Sequence, residues 1–168
     1  LDILAKANPG DITPDNAAKI KASSISGMKE VMRLSGAIKQ VDDRVITIAK
    51  EMMPQILAAD ADAKAKTDTR LFYATMFLGS TDTAVSVAAF RDVLTDSPDS
   101  VDGLAGLGLS LTNAGFINFQ NGTDSNNKAL ADQGKAELQE AANVLQRFVT
   151  VAPDGHKFKV EVSEALAG

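Results

Sequence analysis

The sequence predicts an all-α fold made of stacked helical hairpins. Two observations carry this. Apolar residues recur at steps of three and four through most of the chain, which marks one face of a helix. A segment also occurs twice. Phe90-Arg91-Asp92-Val93-Leu94-Thr95-Asp96-Ser97-Pro98-Asp99-Ser100 matches Leu145-Gln146-Arg147-Phe148-Val149-Thr150-Val151-Ala152-Pro153-Asp154-Gly155. Each copy is an apolar helical stripe, then proline, aspartate and a small residue, and each is followed by a new apolar helix. Such repetition implies units that bury their faces by stacking on one another. About six or seven helices are expected.

Residues 1–13 read as an irregular arm, with a turn signal at Asn8-Pro9-Gly10-Asp11. Thr13-Pro14-Asp15 reads as an N-cap followed by proline at the first helical position. A helix is expected from Pro14 to near Leu34, weakened in its middle by Ser23-Ser24 and Gly27, with Gly36 as its stop. The next helix places Ile38, Val41, Val45, Ile48, Met52 and Ile56 on one face. Pro54 lies inside that pattern and is expected to kink the helix or end its regular part near Met53.

Residues 59–68 are polar and alanine-rich, and either extend this helix or connect it to the next. The pairs Asp60/Lys64 and Asp62/Lys66, four apart with the acid first, support a helical extension. A helix over about 68–78 carries Leu71, Phe72, Ala74, Met76 and Phe77, and Gly79-Ser80-Thr81-Asp82 breaks it. Another over about 83–95 carries Val87, Phe90, Val93 and Leu94, followed by the turn Ser97-Pro98-Asp99-Ser100. The next, over about 101–114, carries Leu104, Leu107 and Leu111, with Gly115 as its stop. Residues 116–133 read as a loop by composition, with Asn121-Gly122 as a tight-turn dipeptide. A helix over about 129–150 then turns Leu138, Ala141, Leu145, Phe148 and Val149 inward, and a last short helix carries Phe158, Val162 and Leu166.

A chain of 168 residues is long enough to bury a real core in about one domain. Hydrophobic residues make up 45% but aromatic ones only 5%, so the core is expected to be mostly Ala, Leu, Val, Ile and Met. The net charge of −5 is uneven: residues 1–66 sum to +1 and residues 67–168 to −6. An acidic repeat region disfavours nucleic acid, which needs a basic stripe. There is no cysteine, which excludes disulfides, thiol catalysis and thiolate metal sites. No stretch reaches the roughly 18 uninterrupted apolar residues of a membrane helix.

The residues around the two prolines resemble the tetratricopeptide repeat, a helix–turn–helix unit of 34 residues. In that family a proline near the end of the second helix marks the junction with the next unit, and Pro98 and Pro153 fit it. Downstream of Pro98 the first-helix pattern is met by Leu104, Leu107, Gly108, Leu111 and Gly115. Upstream of Pro153 the second-helix pattern is met by Glu140, Ala141, Leu145 and Phe148. The likeness covers about residues 99–155 well and 67–98 fairly, and implies a right-handed stack of antiparallel hairpins. The two prolines are 55 residues apart, 21 more than one unit, so a loop insertion is expected at about 116–136. Residues 1–66 match poorly and are expected to form an arm and a divergent helical pair capping the stack, with the repeats over 67–168. Gly103, Gly106 and Gly108 inside a helix cost roughly 1 kcal/mol each relative to alanine, which a chain accepts where two helix backbones must approach closely.

No constellation for catalysis is found. The single histidine, His156, has neither a second histidine nor a cysteine to share a metal, and is expected to be a partly exposed helix-start residue. The oxygen-rich stretch 118–127 lacks the glycine and glutamate that a calcium hand needs. Asn121-Gly122-Thr123 is a glycosylation triplet of low weight. Gly103, Gly106 and Gly108 lack the spacing and lysine of a phosphate loop. Asp42-Asp43 and Asp60/Asp62 lie on polar faces, and Met28, Met32, Met52, Met53 and Met76 are expected to fill the core. The expectation is no enzyme, no metal and no cofactor.

The expected function is a protein–protein interaction or scaffold module. The resemblance implies that first helices line the binding face, which makes Asp102, Ala105, Leu109, Thr112 and Asn113 groove candidates. No lysine or arginine lies between Arg91 and Lys128, so this face is no basic clamp for acidic tails. Phe116, Ile117 and Phe119 at the start of the expected loop either pack back on the core or meet a partner. The alternative is a structural subunit that stacks through open solenoid ends into a larger assembly. The partner is another protein, not nucleic acid, and the chain is not itself membrane-spanning. A non-methionine start at Leu1, no cysteine and many Ser, Thr, Asn and Asp residues favour an exported bacterial protein, periplasmic or extracellular, over a cytoplasmic one.

Overall fold

The computed structural model describes residues 43–59, 62–78, 80–156 and 158–167. The arm, the helix expected from Pro14 to Leu34, the stop at Gly36 and the helix start at Ile38 lie outside the described residues. The described residues are all-α, in six helices: α1 Asp43–Ala59, α2 Ala63–Phe77, α3 Thr83–Asp96, α4 Val101–Asp124, α5 Lys128–Val151 and α6 Lys159–Ala167. They fall into two compact units, which divide between Thr81 and Asp82. The first unit takes in α2, which the sequence reading had grouped with the repeats.

In the first unit α1 and α2 pack together. The buried face of α1 is Ile46, Ala49, Met52 and Ile56, and Ile48 sits half-buried at its edge. The helix runs past Pro54 to Ala59, with the proline on its exposed side. The loss of one backbone donor at Pro54 does not end the helix. The 59–68 segment divides: α1 stops at Ala59, and Asp62 caps α2 by accepting from the Ala65 N–H at 2.7 Å. Lys64 and Asp68 form an ion pair on α2 at 2.7 Å, and Asp60 of the expected Asp60/Lys64 pair lies outside the described residues. Tyr73, which the periodicity left out of the inward set, is fully buried with Ala74, Met76 and Phe77, while Leu71 and Phe72 are half-buried.

The second unit holds the repeated segment, and both copies stop their helices alike. Ser97 N–H donates to the Val93 carbonyl at 2.9 Å, and Ala152 N–H donates to the Phe148 carbonyl at 2.8 Å. The next residue in each copy is the proline, which cannot continue the helix. After the first stop, Ser100 caps α4 by accepting from the Gly103 N–H at 3.1 Å. Leu104, Leu107 and Leu111 are buried as their spacing predicts.

The expected loop over 116–136 is overturned. Helix α4 passes Gly115 and runs to Asp124, α5 starts at Lys128, and each is 24 residues long. Only Ser125, Asn126 and Asn127 lie between them. The turn is closed by Asn126 N–H to the Thr123 carbonyl at 3.2 Å and Asn127 N–H to the Gly122 carbonyl at 2.7 Å. Asn126 has φ of 53°, so this is a Schellman stop with asparagine in the left-handed position where glycine is commoner. Asn127 caps α5 by accepting from the Leu130 N–H at 3.2 Å.

Tertiary packing outweighs the turn-like composition of this stretch. A Cβ on Gly122 would stand 2.3 Å from the Ala131 nitrogen, and one on Gly115 2.8 Å from the Gly134 carbonyl oxygen. Asn118 adds an amide N–H bond to Glu137 at 2.8 Å. The extra residues therefore lengthen an antiparallel hairpin. The same closeness explains Gly106, where an added Cβ would fall 2.1 Å from the Phe90 ring.

Leu104, Phe148 and Ala152 form a buried cluster, against which Leu94, Val101, Ala105, Val144, Val149, Val151 and Val162 pack. Two ion pairs brace the outside. Arg91 on α3 meets both oxygens of Glu140 on α5, at 2.8 and 2.7 Å, and Arg147 meets Asp99 at 2.7 Å. Phe158, expected on the last helix, stands just before α6 and is 43% exposed, whereas Val162 packs against the cluster.

Candidate interaction surface

Helix α4 is held on two sides. Gly103 and Gly106 face Leu94 and Phe90 of α3, and Gly108, Gly115 and Gly122 face Leu145, Leu138 and Ala131 of α5. At 100° per residue these contacts leave one arc of α4 turned away from both neighbours. Its centre is the heptad series Asp102, Leu109 and Phe116. Leu109 is 58% exposed and Phe116 is 60% exposed. Thr112 and Asn113 are exposed between them.

The groove candidates thus separate. Asp102, Leu109, Thr112 and Asn113 share the exposed arc, whereas Ala105 is half-buried and packs on the Leu104–Phe148–Ala152 cluster. The three supposed loop residues are helical, with Phe116 on the same arc. Ile117 lies toward one side at 39% exposure, and Phe119 toward the other at 37%. The ammonium of Lys135 stands 5.6 Å from the centre of the Phe119 ring, a cation–π contact that fixes that edge to α5. The sequence signal for this surface was present in the seven-residue interval between Leu109 and Phe116. It was hidden by the expected stop at Gly115.

The charged residues of α4 are both negative and stand at its two ends. Asp102 in the first turn sits beside the positive end of the helix dipole. Asp124 is the last residue of α4, where the dipole is negative, and no basic residue lies in that last turn. Among the described residues neither carboxylate is bonded to a cation.

His156 sits in the turn before α6. Its ring meets Phe148 edge-on at 5.1 Å, and its Nδ1 accepts from the Phe158 N–H at 3.4 Å. Lys159 ties the same turn by donating to the Ala152 carbonyl at 2.7 Å and to Asp154 at 2.9 Å. These contacts assign His156 a packing role. Among the described residues no three His, Cys, Asp or Glu side chains gather where they could hold a metal ion. Nor is any described helix long and apolar enough to cross a membrane. A second apolar surface lies at α6, where Val160 is 61% exposed.

Comparison of the chain with protein-family models, with curated proteins and with solved structures finds no significant match.

Proposed function

We propose that this chain is a protein–protein interaction or scaffold module that holds a partner peptide or subunit on the exposed arc of α4. The observation that carries the reading is the pair Leu109 and Phe116, each more than half exposed and seven residues apart on a helix otherwise buried on two sides. Apolar side chains grouped on one face, rather than scattered singly, mark a surface that another protein covers. The hairpin packing and the two matching proline stops support the tetratricopeptide likeness as part of this reading. Catalysis and a bound cofactor form no part of it. An exported location belongs to it on the lack of cysteine and the many Ser, Thr, Asn and Asp residues, and fractionation of the source cells tests it.

The test is the native mass of the complex that contains the chain. Co-migration with other proteins well above 17.6 kDa, lost in Leu109→Asp, is the expected result. A particle of 17.6 kDa under gentle extraction, unchanged by that substitution, would count against an interaction module.

A second reading has its own observation. Val160 in α6, at 61%, and Phe158 just before it, at 43%, leave an exposed apolar surface at this end. That favours a structural subunit stacking end to end with further copies. Mass that rises with concentration, and that Val160→Asp abolishes while Leu109→Asp does not, would select this reading.

A further inference from the structure

We propose that the partner segment on α4 is a cationic amphipathic helix. This rests on the interaction-surface reading and names the chemistry of its partner. The apolar anchors set the pattern: Leu109 and Phe116 are seven residues apart, about 10 Å along the axis. A helix lying along α4 matches them with apolar residues at the same interval.

The ends set the charge. Asp102 and Asp124 bracket the anchors about 33 Å apart at the usual helical rise. Both are exposed, and among the described residues neither meets a cation. The described cations of the second unit are already engaged. Arg91 is bonded to Glu140, Lys128 to Asp132, Arg147 to Asp99 and Lys159 to Asp154, while Lys135 lies over the Phe119 ring. A carboxylate at the negative end of α4 is unfavourable where it stands. A lysine or arginine supplied by the partner relieves it, and another at the opposite end meets Asp102.

The same charges disfavour a second copy as the occupant. Two copies of α4 packed antiparallel about the midpoint of Leu109 and Phe116 would bring Asp102 beside Asp124 at both ends. Packed parallel, they would place each carboxylate beside its own equivalent. Like charges brought together across an interface reject a partner.

Two synthetic helical peptides of 22 residues test this on the full chain. They share leucines seven apart on an alanine–glutamine background; one ends in lysines and the other in glutamates. The expected result by titration calorimetry is that the lysine-ended peptide binds about tenfold more tightly at low salt. That preference shrinks as salt is raised to about 0.3 M. Asp102→Asn with Asp124→Asn removes most of the preference, and both positions are exposed, so the variant keeps its fold. Equal binding of the two peptides, abolished by Leu109→Asp, would overturn the charge proposal and leave the interaction surface standing. Binding of neither peptide overturns the proposal; if Leu109→Asp also leaves the native mass unchanged, the interaction reading falls with it. Self-assembly lost in Leu109→Asp would identify a second copy as the occupant and overturn the proposal.

Discussion

Gly134 and Gly115 meet backbone to backbone. A Cβ on Gly134 would stand 2.6 Å from the Gly115 carbonyl oxygen and 2.3 Å from the Phe119 nitrogen. Within an ordinary helix, glycine to alanine gains about 1 kcal/mol. Here the neighbours are backbone atoms that cannot turn aside. Gly134→Ala is therefore expected to destabilise the fold on the order of 1–3 kcal/mol. The denaturant midpoint of the variant checks this, and a midpoint equal to or above that of the parent would show that α4 and α5 do not pack this closely.

Leu107 and Leu109 are two residues apart on α4 with opposite environments, at 4% and 58% exposure. Leu107→Asp puts a carboxylate in the core and is expected to cost several kcal/mol, on the order of total unfolding. Leu109→Asp is expected to change stability by less than about 0.5 kcal/mol. Thermal melts of the two variants separate the faces, and similar melting temperatures would overturn the assignment.

The protein has a single tyrosine, so phenol ionisation reports Tyr73 alone. Burial raises its pKa far above the ordinary 10.0, because the charged phenolate loses its solvation. A raised folded value contributes stability that is complete below pH 10.0 and lost as the pH rises through the folded value. Phenolate absorbance is expected to stay absent past pH 10.0 and to rise together with unfolding. Ordinary titration with the fold intact would contradict this. Among the described residues the Tyr73 hydroxyl has no hydrogen-bond partner, so Tyr73→Phe is expected to be neutral or stabilising.

Asp154 titrates below the ordinary carboxylate value of 3.8, through its hydrogen bond to Lys159 and the charge of that lysine. A depressed folded value contributes stability that is complete above pH 3.8 and lost as the pH falls through the folded value. The side chain is fully exposed, so solvent screens the effect and any change in melting is small. Carbon-detected titration of the carboxyl is the better readout. Lys159→Met is expected to return it to the ordinary value.

Both helix stops were legible because proline acts locally: Ser97 and Ala152 each make the last backbone bond before one, whatever packs around them. Leu104, Leu107 and Leu111 were legible because three-and-four spacing survives any context. The stretch 116–136 was not, because Asn118, Asn121 and Gly122 carry turn propensity that only a second helix can outweigh. The glycines are the common cause of success and failure. Gly103, Gly106 and Gly108 were read as close packing, Gly115 as a stop and Gly122 as part of a tight turn, yet all five serve contact with a neighbouring helix. Tyr73 was missed because neighbouring Phe72 satisfied the expected aromatic position. The exposed arc was half legible. The resemblance picked out Leu109, while Phe116 could join it only once α4 was seen to continue.

The closeness of Gly122 to Ala131 also bears on how the protein ages. Asparagine followed by glycine is the pair most prone to spontaneous deamidation, which requires the glycine nitrogen to attack the asparagine side-chain carbon. In α4 the backbone holds that nitrogen in the helical arrangement, and the buried Gly122 has no room to swing out of it. Asn121 therefore keeps its amide for as long as the hairpin stays closed. The fraction converted to isoaspartate and aspartate in stored protein would then record the average time spent open.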